Sequence, residues 1–176
     1  MKTQAISKGR RVRVARTFGI ACLLLVVLAA GAFAGGTWWL RHAMRAALPQ
    51  LDGELEVAGL AAPVMVRRDA HGVAHIKAQS VPDMLRAQGY VTAQDRLWQM
   101  DMARRLAAGE GAEILGAKLV PHDRMQRVLA FGPTAERMAS SLPPDQLQQL
   151  EAYAEGVNRY IAEHRGSLPA EFRLLR

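Results

Sequence analysis

The feature that most constrains this chain is an apolar run close to its N-terminus. Residues 18–40 form a stretch of 23 residues without a charged side chain. An α-helix needs about 20 predominantly apolar residues to cross the hydrocarbon core of a bilayer. The run therefore predicts a transmembrane helix, or an uncleaved signal anchor, at residues 18–40.

Charged residues around this run predict its orientation. Residues 1–45 hold eight Lys or Arg side chains and no Asp or Glu, and six of these cations precede the apolar run. Basic flanks stay on the cytoplasmic side of a membrane, and Trp favours the interface. We therefore expect residues 1–17 to be a basic cytoplasmic segment, Trp38 and Trp39 to lie at the outer interface, and residues 41–50 to be a juxtamembrane stalk. This predicts a single-pass protein of the inner or plasma membrane, with its body on the periplasmic or extracellular side.

A cleaved signal peptide is the alternative interpretation of the same run. Residues 32–34, Ala-Phe-Ala, stand before Gly35 in the small-residue pattern that a signal peptidase accepts. The apolar run continues to Leu40, which makes it longer than the usual signal-peptide core of about 7 to 15 residues. Both interpretations export the body of the protein, and the sequence leaves both open.

The body itself carries no surplus of positive charge. The formal net charge is +7, but from residue 46 onward the chain holds 15 basic and 16 acidic side chains. It therefore offers no basic surface to a phosphate backbone, and we expect no nucleic-acid partner. The only cysteine, Cys22, lies inside the apolar run. The body consequently has no disulfide and no thiol nucleophile.

Alternating side chains predict strands in the first part of the body. Residues 54–57 alternate acidic and apolar side chains, which predicts a short strand. Residues 64–68 and 73–77 both have period-two character, and the turn-forming residues Asp69 and Gly72 stand between them. This pattern predicts a β-hairpin.

The rest of the body has helical periodicity. From Pro82 the apolar residues recur every three or four positions as far as Gly109, which predicts a long helix. Residues 141–145, Ser-Leu-Pro-Pro-Asp, are typical of a helix start, and a second long apolar stripe follows them. Between these two helices the weaker pattern predicts a short helix on either side of Pro121 and another over residues 134–140. The expected fold class is α+β, a short hairpin with amphipathic helices.

Two groups of residues could in principle hold a metal ion. His71 and His75 are four residues apart, but the alternating sequence around Gly72 favours a turn and a strand, where the two rings would not converge. The second group is a set of acidic residues that could offer oxygen ligands to calcium: Asp52, Glu54 and Glu56. Acids at alternate positions more often form the solvated face of a strand. The sequence therefore assigns no metal-binding residue.

The sequence also shows no serine that its neighbours would activate as a nucleophile. Activation of a serine needs a neighbouring base such as His or Lys. No such neighbour marks any of these serines: Ser80, Ser140, Ser141 and Ser167. There is also no Gly-x-Ser-x-Gly elbow and no phosphate-binding loop. The spacing predicts no catalytic and no cofactor-binding residue.

One segment of the first long helix is unusually polar. Gln94, Asp95, Arg96 and Gln99 interrupt a helix that is otherwise apolar and aromatic. If the helix is buried, these groups must bond to one another or to the backbone, because an unpaired buried charge is very costly. We predict a buried, fully hydrogen-bonded structural network, with a surface salt-bridge cluster as the alternative.

The same segment carries a family resemblance. Residues 89–101, Gly-Tyr-Val-Thr-Ala-Gln-Asp-Arg-Leu-Trp-Gln-Met-Asp, resemble the penicillin acylase (penicillin amidase) family. Residues 68–76 are similar to that family's first hairpin, although Ala74 stands where a proline is commoner. Further similar blocks follow in order: residues 103–105 with Gly109, residues 113–116, residues 153–158 and residues 168–172. The resemblance covers about residues 48–176.

The resemblance implies an N-terminal-nucleophile hydrolase with a four-layer αββα sandwich. In that family a precursor, or zymogen, cleaves itself into an α chain and a β chain. The new N-terminal serine of the β chain attacks a linear amide, its own α-amino group is the base, and backbone and asparagine donors stabilise the oxyanion. These groups lie outside this sequence, as do the calcium ligands that the resemblance implies.

The resemblance therefore implies that residues 51–176 are the N-terminal part of an α chain and serve as scaffold. The implied partners are its own β chain or the remaining precursor, the membrane, and a small acyl amide such as a β-lactam side chain or an acyl-homoserine lactone. The chain by itself is expected to be inactive and poorly stable. The alternative function is a non-enzymatic, membrane-anchored helical interaction module.

Overall fold

The computed structural model describes the backbone of residues 3–175 and the side chains of Arg16 and residues 18–175. The chain divides into two compact units, residues 1–43 and residues 44–176. Lys2 and Arg176 lie outside the described residues.

The first unit is built on one long helix, α1, Thr3–Ala46. Within it, Phe18–Ala46 is long and apolar enough to cross a membrane, although a signal sequence near an N-terminus passes the same test of length and composition. The helix expected at residues 18–40 is therefore present, and it also includes the first part of the expected stalk. It continues this far because good helix formers follow the apolar run and the first proline is Pro49. The basic side chains before Arg16 lie outside the described residues.

The predicted hairpin is confirmed. Strand β1, Met65–Arg68, pairs antiparallel with β2, Ala74–Lys77, and Val66 faces Ile76. The Asp69 carboxylate closes the turn by accepting the backbone N–H groups of His71 and Val73. Gly72 adopts φ +78°, which favours glycine at that position.

The strand predicted at residues 54–57 is wrong, because this segment has no strand structure. Period-two alternation gives a strand only where another strand supplies hydrogen-bonding partners, and β1 pairs with β2 instead. Val57 packs against the core cluster of the helices. The three acids Asp52, Glu54 and Glu56 are exposed.

The first long helix of the body is α2, Val81–Ala108, close to its predicted bounds. The Ser80 hydroxyl accepts the N–H of Asp83 as an N-cap, and Pro82 lies in the first turn. Gly109 ends the helix in the left-handed conformation. Arg96 has non-helical backbone angles of φ −141° and ψ 23°, so α2 is kinked there.

Three short helices follow: α3 over Gly111–Leu115, α4 over Val120–Leu129 and α5 over Phe131–Ser140. A single turn of 3₁₀-helix, Ala117–Leu119, joins α3 to α4. Pro121 does not separate two helices as expected but lies in the first turn of α4, where its missing N–H costs nothing. The helix expected at residues 134–140 begins three residues earlier.

The second long helix is α6, Pro144–Glu163, and a single helical turn, α7, follows at Glu171–Leu174. The helix predicted after residues 141–145 is confirmed, but Ser141 is not its cap. The Ser141 hydroxyl donates to the Met138 carbonyl of α5, and Pro143 occupies the N-cap position.

The core of the body lies between α2 and α6. Tyr90, Ala93, Leu97 and Tyr160 are buried in one cluster, and the rings of Tyr90 and Tyr160 meet edge to face with centroids 5.5 Å apart. The helices touch at two glycines. A Cβ at Gly89 would overlap the Tyr153 carbonyl, and a Cβ at Gly156 would overlap the Arg86 carbonyl. Each contact leaves no space for a side chain.

We expect Gly156→Ala to lower the free energy of unfolding by at least about 3 kcal/mol, because the new methyl group meets backbone and forces the two helices apart. Gly132→Ala in α5 is the matched control, since no atom outside its chain neighbours lies within 4 Å of its added Cβ. Pro133 follows and disfavours helical angles at residue 132 once a Cβ is present, which opposes the gain in helix propensity, so this control should stay within about 1 kcal/mol of the unchanged chain. Urea unfolding of the full chain in detergent, followed by circular dichroism, measures both. Equal effects of the two substitutions would contradict the close contact.

Candidate functional site

The strongest polar feature of the body joins the hairpin to α2. The Arg68 guanidinium donates to both carboxylate oxygens of Asp95, at 2.8 and 2.9 Å. It also donates to the Gln94 side-chain oxygen at 3.3 Å and to the Gly72 carbonyl at 3.2 Å. We call Arg68, Gln94 and Asp95 the Arg68 cluster. Two parallel N–H···O bonds fix orientation as well as distance, so the cluster sets how the hairpin lies on α2.

The Arg68 cluster also reaches the segment before the hairpin. The Gln94 amide donates to the Gln50 carbonyl at 3.3 Å. Three parts of the body are thereby held at one place: the residues around Gln50, the hairpin and the middle of α2. The side chain of Arg68 is 17% exposed and that of Asp95 is 29% exposed, so the ion pair is partly shielded from water.

The predicted buried network over Gln94, Asp95, Arg96 and Gln99 is wrong in two respects. Asp95, Arg96 and Gln99 are exposed, and only Gln94 is half-buried. The main partner of the network is Arg68, which sequence reasoning did not include. The sequence did hold a sign of this partner. Arg68 lies two residues after Val66 and so shares a face of the strand with this apolar residue, and a charge on such a face requires a partner.

The kink of α2 lies directly beside the Arg68 cluster. Arg96 leaves the helical conformation, and its guanidinium donates to the Gln99 side chain at 3.3 Å. Neither proline nor glycine stands at residues 93–97, so the kink is not caused by a helix-breaking residue.

An open groove of about 310 Å³ runs along the same part of the body. Strand β2 contributes Ala74 and Ile76. The other wall is a stripe along α2: Met84, Gln88, Val91, Thr92, Asp95 and Arg96. Apolar and polar side chains contribute equally to the walls, and the two charged residues belong to the kinked part of the helix.

A second polar contact holds the N-terminal end of α2. Asp83 is 1% exposed, and its carboxylate accepts the Ala61 N–H at 3.0 Å and a longer bond from Arg86 at 3.4 Å. The Ala61 N–H, the Ser80 hydroxyl and Arg86 hold the pKa of Asp83 below its usual value. Arg86 also donates to Glu155 of α6 at 2.9 Å. Asp83 and Arg86 of α2 therefore connect the segment before the hairpin to α6.

Tyr90 makes a third contact between α2 and α6. Its hydroxyl donates to Glu163 at 2.9 Å, and Arg159 donates to the other oxygen of that carboxylate. Burial raises the pKa of Tyr90, and the bond to Glu163 raises it further. The phenol therefore stays protonated at neutral pH, which suits a structural donor and not a base.

The structure does not bring the two hairpin histidines together on a helix face. His71 lies in the turn, and the His75 ring contacts the Asp69 carboxylate at 3.2 Å. That bond, with the N–H groups of Val73 and His71, lowers the pKa of Asp69. Among the described side chains, no group of three His, Cys, Asp or Glu residues could hold a metal ion.

The four serines have local roles in the described part of the chain. Ser80 caps α2. The other three hydroxyls donate to backbone carbonyls three residues earlier: Ser140 to Arg137, Ser141 to Met138 and Ser167 to His164. These bonds place the serines at helix ends and turns, and none of them joins a serine to a side-chain base.

Comparison with known proteins identifies the family of this scaffold. The family model for penicillin amidase matches residues 63–176, which include the hairpin, the Arg68 cluster and both long helices. The chain belongs to the penicillin amidase family. This confirms the resemblance seen in residues 68–76 and 89–101.

Individual relatives agree with the assignment. The chain is 44% identical over 135 residues to penicillin acylase 2 proenzyme of Pseudomonas sp. (strain SE83), which covers 77% of this chain and 17% of that protein. It is 37% identical over 138 residues to acyl-homoserine lactone acylase QuiP of Pseudomonas aeruginosa, covering 78% of this chain and 16% of that one. The chain thus spans only about a sixth of the length of these relatives.

A solved structure shares the fold of the body. The thermostable penicillin G acylase from Alcaligenes faecalis matches with a TM-score of 0.58 and 35% identity, covering 64% of this chain and 62% of that chain. That neighbour is an N-terminal-nucleophile hydrolase. Over residues 3–175 the expected α+β class is present as mostly helical structure with one two-stranded sheet.

We expect Arg68→Ala to lower the free energy of unfolding by about 1–2 kcal/mol, because it removes a bidentate ion pair that is only partly exposed. Arg67→Ala is the matched control, since Arg67 is the exposed neighbour on the opposite face of β1. Its effect should stay within about 0.5 kcal/mol. Urea unfolding compares them. A loss at Arg67 as large as the loss at Arg68 would contradict the role of the cluster.

We also expect Asp83→Asn to destabilise the chain by about 1–3 kcal/mol at pH 7, because the buried bonds to a carboxylate become bonds to a neutral amide. The folded pKa of Asp83 is lowered. Its contribution is therefore present above the unfolded pKa of about 3.9 and is lost as the pH falls through the folded pKa.

Urea unfolding between pH 3 and pH 7 tests this pH dependence. The stability difference between the unchanged chain and Asp83→Asn should shrink below about pH 4. Asp52→Asn, at an exposed position, is the control and should track the unchanged chain throughout. A difference that stays constant down to pH 3 would argue against the stabilised carboxylate.

Proposed function

We propose that this chain is the N-terminal part of the α chain of an exported hydrolase that acts on linear acyl amides. The observation that carries the proposal is the match of residues 63–176 to the penicillin amidase family. The relatives are named as penicillin acylases and as acyl-homoserine lactone acylases. Both names denote enzymes that hydrolyse an acyl amide bond. The proposed substrate class is therefore an acyl amide of the β-lactam side-chain or acyl-homoserine lactone type.

In this proposal the residues of the chain are scaffold, and the reacting groups lie on a β chain. The nucleophile is the N-terminal serine of that β chain, with its α-amino group as base, as the family resemblance implies. The Arg68 cluster orients the hairpin on α2. The α2–α6 pair forms part of a helical layer over the larger sheet of the complete enzyme. The lack of a serine bonded to a side-chain base among the described residues is consistent with this division of roles.

Processing into two chains is part of the proposal. One relative is named a proenzyme, and the matched stretch makes up 17% of it. A similar stretch makes up 62% of the solved penicillin G acylase chain. That chain is therefore much shorter than the proenzyme, as expected for one product of a cleaved precursor. The proposed partner of this chain is accordingly its own β chain, or the rest of the precursor before cleavage.

We further propose that α1 places the body outside the cytoplasm. The length and apolar character of Phe18–Ala46 and the cations before it favour a single-pass membrane anchor with the N-terminus in the cytoplasm. A cleaved signal sequence would export the body equally. The calcium ion implied by the family would take its ligands from the remaining polypeptide, since the described side chains include no group of three suitable residues.

A non-enzymatic, membrane-anchored interaction module is the second candidate. Exposed apolar side chains on α4 and α5 favour it, with Val128 80% exposed and Phe131 51% exposed. Apolar surface of this kind marks a place where another protein packs. The same residues would equally be covered by the rest of a longer enzyme, so activity must separate the two candidates.

A chimeric proenzyme tests the function. Residues 48–176 of this chain replace the matching stretch of the Pseudomonas penicillin acylase 2 proenzyme. We expect the chimera to be cleaved into two chains and to hydrolyse an acyl amide, because the scaffold then supports a complete β chain. Gel electrophoresis scores cleavage, and release of the amine from penicillin and acyl-homoserine lactone substrates scores activity.

The 176-residue chain alone is the control and should hydrolyse neither substrate. A folded chimera that is neither cleaved nor active would favour the interaction module. Turnover by the 176-residue chain alone would show that this chain contains its own catalytic residues and would overturn the proposed division between the two chains.

A further inference from the structure

The last turns of α1 carry two arginines directly beyond the apolar run. The run ends at Leu40, and Arg41 and Arg45 follow it. Both side chains are exposed, and α1 stays helical as far as Ala46. A helix rises by about 1.5 Å per residue, so the Cα atoms of the two arginines lie roughly 1.5 and 7.5 Å beyond that of Leu40 along the helix axis.

These distances match the headgroup layer of a membrane. The hydrocarbon core of a bilayer is about 30 Å thick, and the headgroup layers raise the total to about 40–45 Å, which leaves roughly 5–7 Å on each side. When the apolar run lies in the hydrocarbon core, Arg41 and Arg45 reach the layer that holds the lipid phosphates. A guanidinium can donate two parallel N–H bonds to one phosphate.

An aromatic pair lies on the same face of α1 as the two arginines. Residues at three- and four-residue spacing share one side of a helix, and four side chains have this spacing: Trp38, Arg41, His42 and Arg45. The rings of Trp38 and His42 are stacked, with centroids 5.6 Å apart and an angle of 11° between their planes. Trp favours the membrane interface, so the pair marks the level at which the arginines leave the hydrocarbon core.

The helix supplies no acidic partner to these arginines. Its sequence contains no Asp or Glu, and the first acidic residue of the chain is Asp52. Neither arginine can therefore form an ion pair within α1. An anion at the membrane surface would find both guanidinium groups on one face of the helix.

We infer that Arg41 and Arg45 bind the phosphate of an anionic phospholipid in the leaflet that faces the body of the protein. The inference rests on the proposed membrane anchor, because only a retained α1 places these residues at a bilayer. Phosphatidylglycerol has the required chemistry, since its phosphate carries a net negative charge. Phosphatidylcholine has a cation beside its phosphate and gains less from two arginines.

Quenching of Trp38 fluorescence by labelled lipid tests the inference. The full 176-residue chain carries Trp39→Phe and Trp98→Phe, which leaves Trp38 as the only tryptophan. It is reconstituted into phosphatidylcholine vesicles in which a small fraction of either phosphatidylglycerol or phosphatidylcholine carries a nitroxide near the headgroup. Both leaflets have one composition, so the direction of insertion does not affect the result. We expect phosphatidylglycerol to bind beside Trp38 at least about threefold more strongly than phosphatidylcholine, because each cation near the surface favours an anionic lipid.

Two double variants separate the arginines from the net charge of the chain. Arg41→Gln/Arg45→Gln should lower the ratio of the two binding strengths to about one. Arg67→Gln/Lys77→Gln removes the same charge from exposed positions of the hairpin and should leave the ratio unchanged. A ratio that persists in the first variant, or that falls as far in the second, would overturn the inference.

Free phosphate is the other source of the same chemistry. Inorganic phosphate should lower the ratio no more than sodium chloride does at equal ionic strength, and a larger decrease would overturn the lipid site in favour of a soluble anion. Equal quenching by the two labelled lipids would overturn the lipid site and leave the membrane anchor standing. A Trp38 that neither lipid quenches would overturn the inference together with the anchor, whereas the chimeric proenzyme tests amide hydrolysis independently.

Discussion

The body of this protein depends on the close contact of α2 and α6 at Gly89 and Gly156. Each glycine lies against a backbone carbonyl of the other helix, so the helices approach more closely than any side chain would permit. That approach brings Tyr90 and Tyr160 edge to face and buries them with Leu97. It also brings Arg86 within reach of Glu155. The apolar and polar contacts between the helices therefore share one geometric cause.

The hairpin is attached to this helix pair by an ion pair as well as by the half-buried side chains of Ala74 and Ile76. Only one residue of β1, Arg68, is substantially covered, and it is held by Asp95 and Gln94. A bidentate ion pair fixes an angle as well as a distance, and this lets a hairpin too small for its own core keep a defined position. The groove beside it lies between the half-buried side chains of β2 and one side of α2.

Membership of the penicillin amidase family gives this arrangement a purpose. Under the proposed function, in which the reacting groups lie on another chain, this N-terminal segment contributes position and not chemistry. The polar residues of α2 fit that role, since they bond to the hairpin and to neighbouring segments. The exposed apolar residues of α4 and α5 have the character of a surface that a larger assembly covers.

The sequence by itself determined the family and those helices and strands that have a local cause. The uncharged run at residues 18–40, the hairpin around Gly72, and the helices from Pro82 and Pro144 follow from periodicity, turn residues and caps. The tertiary structure decided what depends on distant partners. It left residues 54–57 without a strand, because β1 and β2 pair with each other. It gave Asp95 to Arg68 across 27 positions of sequence, and it placed Gly89 against Tyr153. Periodicity reports which face of an element is apolar, but only packing selects the partner of each polar group and the distance between two backbones.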